Sequence, residues 1–246
     1  MKKLVNDHHI YDKVSSIYEA LMCEVNYENW ADYLKEVIGR FSKSYGPVLE
    51  LASGTCKLAG ILKKYFKEIV ATDISFNMLK RSSDKNLKKI CCDMTLLAVK
   101  TRFPIIISTF DSVNYLLSEK KLEQLFNEVK QVLTDDGIFT FDASLYNNSL
   151  DHEKDFISSG DMNGVSFKRN SKFSKRARIH KNTFEIVDSS NNLQKEIHKQ
   201  KIYEFHTYFD LIYKSGMKVV ECYETFTFSA GHSESPRVQF IIKKVN

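Results

Sequence analysis

A chain of 246 residues that is 43% apolar and 27% charged can bury an ample core as one large domain with an insertion, or as two small domains, and needs no disulfide frame to hold it. Its apolar runs, Ile105-Ile106-Ile107 among them, fall far short of the ~20 residues that cross a bilayer, so no membrane span is expected. The balance of 36 basic to 31 acidic residues, a formal charge of +5, is a mild excess that by itself neither demands nor excludes an anionic partner.

Met1-Lys2-Lys3 is followed by Asn6, Asp7, His8 and His9, not by an apolar segment, so no signal peptide is expected and the cytoplasm is the expected compartment. Five cysteines (Cys23, Cys56, Cys91, Cys92 and Cys222) are odd in number and make no C-x-x-C pair. That favours reduced thiols over a disulfide frame or a zinc site. Adjacent Cys91 and Cys92 point to opposite faces of a strand and are expected to fill core.

Tyr11, Val14, Tyr18 and Leu21 predict a short helix between Ile10 and Leu21. A second helix follows the cap Asn26, with Trp30, Tyr33, Leu34, Val37, Ile38 and Phe41 at helical spacing up to Gly46-Pro47. Val48 to Leu51 predicts a strand, and Leu58, Ile61, Leu62 and Tyr65 the apolar face of the next helix. Ile69 to Thr72 predicts a second strand ending at Asp73; Ser75 caps a helix through Met78 and Leu79, and Ile90-Cys91-Cys92 is a third strand stopping at Asp93. Pro104 to Phe110 reads as a central parallel strand covered on both faces, with Asp111 behind it. Leu122, Leu125, Phe126, Val129 and Val132 mark a strong helix, Asp135-Asp136-Gly137 a turn, and Ile138 to Phe141 a fifth strand ending at Asp142.

Ala143 to Gly164 then reads as polar loop. Phe167 to Lys201 reads as antiparallel strands around the turn Asp188-Ser189-Ser190-Asn191-Asn192. Phe205, Tyr208, Phe209 and Ile212 restart a helix that closes at Gly216, and Val219 to Phe228 pairs with Val238 to Ile242 as a hairpin across a short connection holding Gly231 and Pro236. In domain terms, residues 1–46 form a helical cap, 47–142 with 202–246 the core, and 143–201 an insertion.

This alternation predicts a doubly wound parallel sheet whose ligand lies beyond the carboxyl ends of the strands, where Glu50, Asp73, Asp93 and Asp111 all fall. Ala52, Ser53 and Gly54 carry little or no side chain, so the first strand-to-helix corner lets a ligand approach the backbone. Taken singly, each acid also fits a helix cap or a turn; four at corresponding strand ends point to a site.

With these motifs the sequence resembles class I S-adenosylmethionine-dependent methyltransferases over nearly its whole length. The resemblance implies an α/β, Rossmann-like sheet of seven strands, doubly wound, with an antiparallel C-terminal hairpin and here an antiparallel insertion. It assigns Glu50 to Cys56, including Ala52 and Gly54, to the acidic glycine-rich motif at the methionyl part of the cofactor. Asp73 falls to the ribose hydroxyls, Ile74 to the adenine flank, Asp93 and Met94 to the adenine edge, and Thr109 to Asp111 to the neighbourhood of the methyl group. The usual three glycines are Ala52, Gly54 and Cys56 here, so the Cβ of Cys56 is expected to narrow the approach. Tyr11-Asp12, Tyr27, Trp30, the segment Asp111 to Tyr115 and the insertion are similar to those of glycine and amino-sugar N-methyltransferases. Tyr11 and Trp30 are thereby expected to close over the cofactor, although Trp30 at helical spacing fits a core position as well.

The expected function is transfer of a methyl group from S-adenosylmethionine, leaving S-adenosylhomocysteine, to a small-molecule amine. Asp111, Tyr115 and His232 are the candidates for proton transfer, and each also fits a structural place. Arg176, Arg178 and His180 could grip an anionic group but read more simply as a solvated strand face. Two rivals stay open: methylation of RNA or another macromolecule, and a non-catalytic cofactor-binding or partner-binding subunit. Against a nucleic-acid substrate stand the absence of an N-P-P-Y type motif at Thr109 and of a basic stripe with interleaved aromatics. A dehydrogenase is excluded by the lack of G-x-G-x-x-G in the first turn. The expected assembly is a monomer or a homodimer.

Overall fold

A computed structural model of the chain describes residues 10–44, 46–150, 152, 156–162 and 164–245. A 3-10 turn at Val14–Ser16 leads into α1 (Tyr18–Leu21) and α2 (Tyr27–Phe41). Then come β1 (Val48–Leu51), α3 (Lys57–Leu62), β2 (Ile69–Asp73), α4 (Phe76–Lys80), β3 (Lys88–Cys91) and β4 (Phe103–Ser108). A 3-10 turn at Ser112–Tyr115 precedes α5 (Glu119–Val132), β5 (Leu133–Ser144) and α6 (Tyr146–Leu150). The chain continues with β6 (Phe156–Met162), β7 (Val165–Ser174), β8 (Ile179–Val187), β9 (Leu193–Lys201), α7 (Phe205–Lys214), β10 (Met217–Glu224) and β11 (Arg237–Lys244).

The strands form a seven-stranded sheet ordered β10-β11-β5-β4-β1-β2-β3 and a four-stranded sheet ordered β6-β7-β8-β9. Strands β1 to β5 run parallel, while β11 lies antiparallel to β5 and to β10. This is the expected Rossmann-like fold with its terminal hairpin. The strand order reverses between β1 and β4, so the loops after these two strands diverge and leave a crevice. Leu122, Leu125 and Phe126 of α5 with Tyr208 and Leu211 of α7 cover one face; Trp30, Leu34 and Val37 of α2 with Leu58 and Leu62 of α3 cover the other. A smaller core of Val14, Ile17, Phe184 and Ile186 seats the N-terminal segment under the second sheet. Among the described residues no helix is long and apolar enough to cross a membrane.

The start of α2 follows its sequence signal, with the Asn26 side chain accepting the Asn29 N–H. Five expectations need correction. The first helix is broken because the Ser15 and Ser16 hydroxyls bond back to the carbonyls of Asp12 and Lys13, competing with the helical ladder. Asp135-Asp136-Gly137 is not a turn between helix and strand: α5 runs directly into β5, and these residues bulge out where the β4 partner shifts from Leu133 to Ile138. Asp142 lies inside β5, fully buried, and the supposed loop after it holds α6 and β6. Residues 225–236 make the hairpin connection long, although Tyr223 and Ala230 still bridge. Cys91 is exposed and Cys92 half-buried, because β3 is an edge strand with one flank uncovered.

Candidate active site

Beyond the carboxyl ends of β1, β2, β3 and β4 lies a cavity of about 790 Å³. Its floor is the corner after β1. Ala52, Gly54 and Cys56 have φ of 53°, 57° and 61°, so the glycine pattern of left-handed backbone persists although two of the three residues carry a Cβ. Such a conformation costs a non-glycine residue about 1–2 kcal/mol and survives only where its surroundings hold it. Here Asp73 does the holding: its carboxylate accepts the Gly54 N–H at 2.8 Å and the Ser75 N–H at 2.7 Å, while Ser53 N–H donates to the Thr72 carbonyl. Burial pushes the Asp73 carboxyl up, and those two N–H groups partly offset it.

Glu50 is 1% exposed and one of its carboxylate oxygens, Oε2, has no hydrogen-bond partner. Burial pushes its carboxyl up to about 8, against the hydrogen bond of Ser53 and together with the charge of Asp73. A buried carboxylate with one oxygen left without a donor on a cavity wall is a place for a cationic or hydrogen-bonding ligand group. Ala52, Gly54, Asp73, Ile74, Asp93, Met94 and Thr109 share that wall with it, as does Tyr11. One oxygen of Asp93 is already engaged by the N–H and hydroxyl of Thr95.

Trp30, Asp111 and His232 do not line the cavity. Trp30 is core: it packs on Phe110 at 4.8 Å and on Phe226 at 4.6 Å, and so supports Phe110, which does line the cavity at φ 59°. The Asp111 carboxylate is taken up by Arg237 at 2.9 Å and by the Gln200 amide at 2.6 Å. His232 sits in the hairpin connection with its side chain 62% exposed, 3.9 Å from Glu224. In the insertion, Arg178 pairs with Glu204 and stacks over Tyr146, while His180 turns inward beside Ser149, so the solvated-face reading fails for both. Burial, then the neighbouring His152, lowers the His180 ring to about 4.

Tyr115 does line the cavity, and around it stand residues that sequence reasoning missed. Its hydroxyl lies 2.6 Å from that of Tyr11 and 3.4 Å from Nδ1 of His198, whose Nε2 is 2.7 Å from Oε1 of Glu196. Oε2 of Glu196 accepts the N–H groups of Lys13 and Val14 at 2.8 and 3.1 Å, fastening the N-terminal segment to β9. Desolvation raises the Glu196 carboxyl, but the bonds from His198, Val14 and Lys13 outweigh it and leave it below its usual range. Burial raises both phenols, which therefore stay protonated at neutral pH. The signal in the sequence is an alternation: Glu196, His198 and Gln200 occupy one face of a strand whose other face carries Lys195, Lys199 and Lys201.

Residues 48–137 match a family model described as a methyltransferase domain. A protein of Geobacillus sp. (strain WCH70), provisionally named a methyltransferase, is 26% identical over 247 residues, spanning 95% of this chain and 99% of that one. Two crystal structures share the fold. A S-adenosylmethionine-dependent methyltransferase from Clostridium acetobutylicum ATCC 824 has a TM-score of 0.81 at 21% identity, covering 96% of this chain and 99% of its own. The sugar N-methyltransferase KedS8 from Streptoalloteichus sp. ATCC 53650 has a TM-score of 0.77 at 11% identity, covering 94% and 93%. Residues 48–137 thus carry a methyltransferase domain, and the mixed seven-stranded sheet around it is the fold of S-adenosylmethionine-dependent methyltransferases.

Proposed function

We propose that the chain methylates a small-molecule amine in the cavity beyond β1 and β4. The observation that carries this reading is the roof: Tyr11 and Tyr115, joined hydroxyl to hydroxyl and tied through β9, cover the cavity in a way suited to a small acceptor and not to a polymer. The likeness in fold to a sugar N-methyltransferase supports it.

The residues present fit the cofactor. Glu50, with its unsatisfied oxygen, suits the ammonium of the methionyl part, and the open backbone of Ala52 to Gly54 lies beside it. Asp73 retains lone pairs beyond its two N–H bonds for the ribose hydroxyls, and Ile74, Asp93 and Met94 would hold the adenine. Thr109 and Tyr11 complete the set. When bound, S-adenosylmethionine supplies a methyl group already activated on a positively charged sulfur. The protein's task is then to orient the acceptor and exclude water, which can contribute roughly 7–11 kcal/mol to lowering the barrier. Asp111 and His232 have no part in this proposal, and Trp30 contributes by backing Phe110.

The test is release of S-adenosylhomocysteine against panels of amines, hydroxyl compounds and RNA, paired with calorimetry of cofactor binding. Turnover confined to amines supports the reading. Turnover of RNA alone, or binding with no turnover on any panel, would replace it with a macromolecular substrate or a non-catalytic role.

A further inference from the structure

Methyl transfer to an amine needs a bare lone pair, yet an aliphatic amine carries a proton at neutral pH. Asp111 and His232, the acid and the imidazole that the sequence offered for this work, do not reach the cavity. Tyr115 does reach it, but a buried neutral phenol is a poor base unless its own proton has somewhere to go.

Behind Tyr115 stands such a place. His198 is 1% exposed and faces four groups: Glu196 on its own strand, Tyr115 from the 3-10 turn before α5, the Tyr11 ring at 4.3 Å from the N-terminal segment, and the apolar Phe184 ring at 5.0 Å from β8. Of these only Glu196 is an anion, and it sits at Nε2. In the neutral imidazole that contact places the proton on Nε2, donated to the carboxylate, and leaves Nδ1 as an acceptor toward the Tyr115 hydroxyl. The 3.4 Å separation is at the long end of a hydrogen bond, as is common where a reacting group has yet to be seated.

We infer that Tyr115, His198 and Glu196 form a proton-accepting chain that readies the acceptor amine. The proton of the substrate ammonium passes to the Tyr115 oxygen as the Tyr115 proton passes to Nδ1 of His198. The acceptor goes from +1 to neutral, the imidazole from neutral to +1 beside the Glu196 carboxylate, and Tyr115 ends as it began. Turnover is completed when His198 returns its proton to water after the product leaves. Tyr115 is the catalytic residue of the chain; His198 and Glu196 act through it. Glu196 also accepts backbone N–H groups of Tyr11, Lys13 and Val14, so the chain is complete only when the N-terminal segment is seated. This inference rests on the amine reading of the acceptor.

The test has two arms on the full-length protein. In the first, nitrogen-15 spectra of the ligand-free enzyme with labelled histidine should show neutral His198 with its proton on Nε2, and Glu196→Gln should lose that preference. A proton on Nδ1 in the wild type would overturn the inference whatever the acceptor is. In the second, His198→Gln keeps a donor toward Glu196 but cannot take up a proton. Its rate with an amine should fall roughly a hundredfold at pH 7 and recover to within about threefold of wild type near pH 9.5, where the proton-free fraction of the amine is on the order of a hundredfold larger. Cofactor affinity by calorimetry should not change. An equal deficit at both pH values would reduce His198 to packing and sink the proposal. If the wild type turns over no amine, the acceptor reading fails and the spectra alone decide the chain.

Discussion

Asp111 and Arg237 form an ion pair at 2.9 Å that joins the exit of β4 to the first residue of β11, with the fully buried Asp142 of β5 on the same guanidinium. Asp142 also accepts the Asp111 N–H at 2.9 Å, and Asp111 takes the Gln200 amide from β9. One arginine therefore pairs with two acids behind the cavity wall and ties the terminal hairpin to the site. Arg237→Met should leave both acids uncompensated and destabilise the chain by about 3 kcal/mol. Denaturant unfolding checks this, and adding Asp142→Asn should restore part of the loss. An unchanged midpoint would show that the pair contributes nothing.

Asp73 has two tasks, since it holds the Gly54 and Ser75 N–H groups and also faces the cavity. Replacement by alanine would confound them by releasing both N–H groups. Asp73→Asn keeps one acceptor oxygen and removes the charge. Loss of charge-assisted bonds worth about 1.5–3 kcal/mol should weaken S-adenosylmethionine by roughly tenfold or more. Calorimetry gives the affinity and thermal unfolding the structural control; unaltered affinity would remove Asp73 from ribose binding.

Whatever depends on local periodicity was legible in the sequence: α2 and its Asn26 cap, the apolar β4 at the centre of the sheet, the amphipathic α5, and the acids Glu50 and Asp73 on the cavity wall. The misreadings concern residues whose role is set by a distant partner. Asp111 looks like a free acid at a strand exit until Arg237 arrives from the last strand. His198 and Glu196 are not singled out by the sequence reading at all, since what marks them, Tyr115 and the N-terminal segment, packs onto their strand only in the fold. Cys91 reads as core but is exposed, because nothing in a strand's own residues says whether it will be central or an edge. Trp30, ambiguous by spacing, belongs to the core.

Ala52 departs from the glycine that its conformation favours, with φ at 53°. The backbone is already shaped as glycine would shape it, so Ala52→Gly should relieve strain without moving the loop. The gain is about 1 kcal/mol, less whatever entropy glycine adds to the unfolded chain, and amounts to a rise of a few degrees in melting temperature. Differential scanning calorimetry measures it, with cofactor affinity expected to hold or improve. A fall in melting temperature would mean that the Ala52 methyl contributes more by packing than its backbone costs.

Glu50 makes the free enzyme's stability depend on pH in a direction opposite to that of a paired carboxylate. With its carboxyl pushed up to about 8 by burial, the folded chain keeps a proton that the unfolded chain releases at about 4.3. Between those values the unfolded state binds fewer protons, so stability falls as pH rises and levels off above about 8. Asp142, raised by burial to about 6 against the pull of Arg237, acts in the same direction, but its window closes near 6. The interval from pH 6.5 to 8.5 therefore isolates Glu50 from Asp142, and comparison with Glu50→Gln removes contributions common to both proteins. Wild-type melting temperature should decline across that interval while the variant stays flatter. Parallel curves would mean that Glu50 is already ionised in the ligand-free cavity and that its unpartnered oxygen is satisfied without the cofactor.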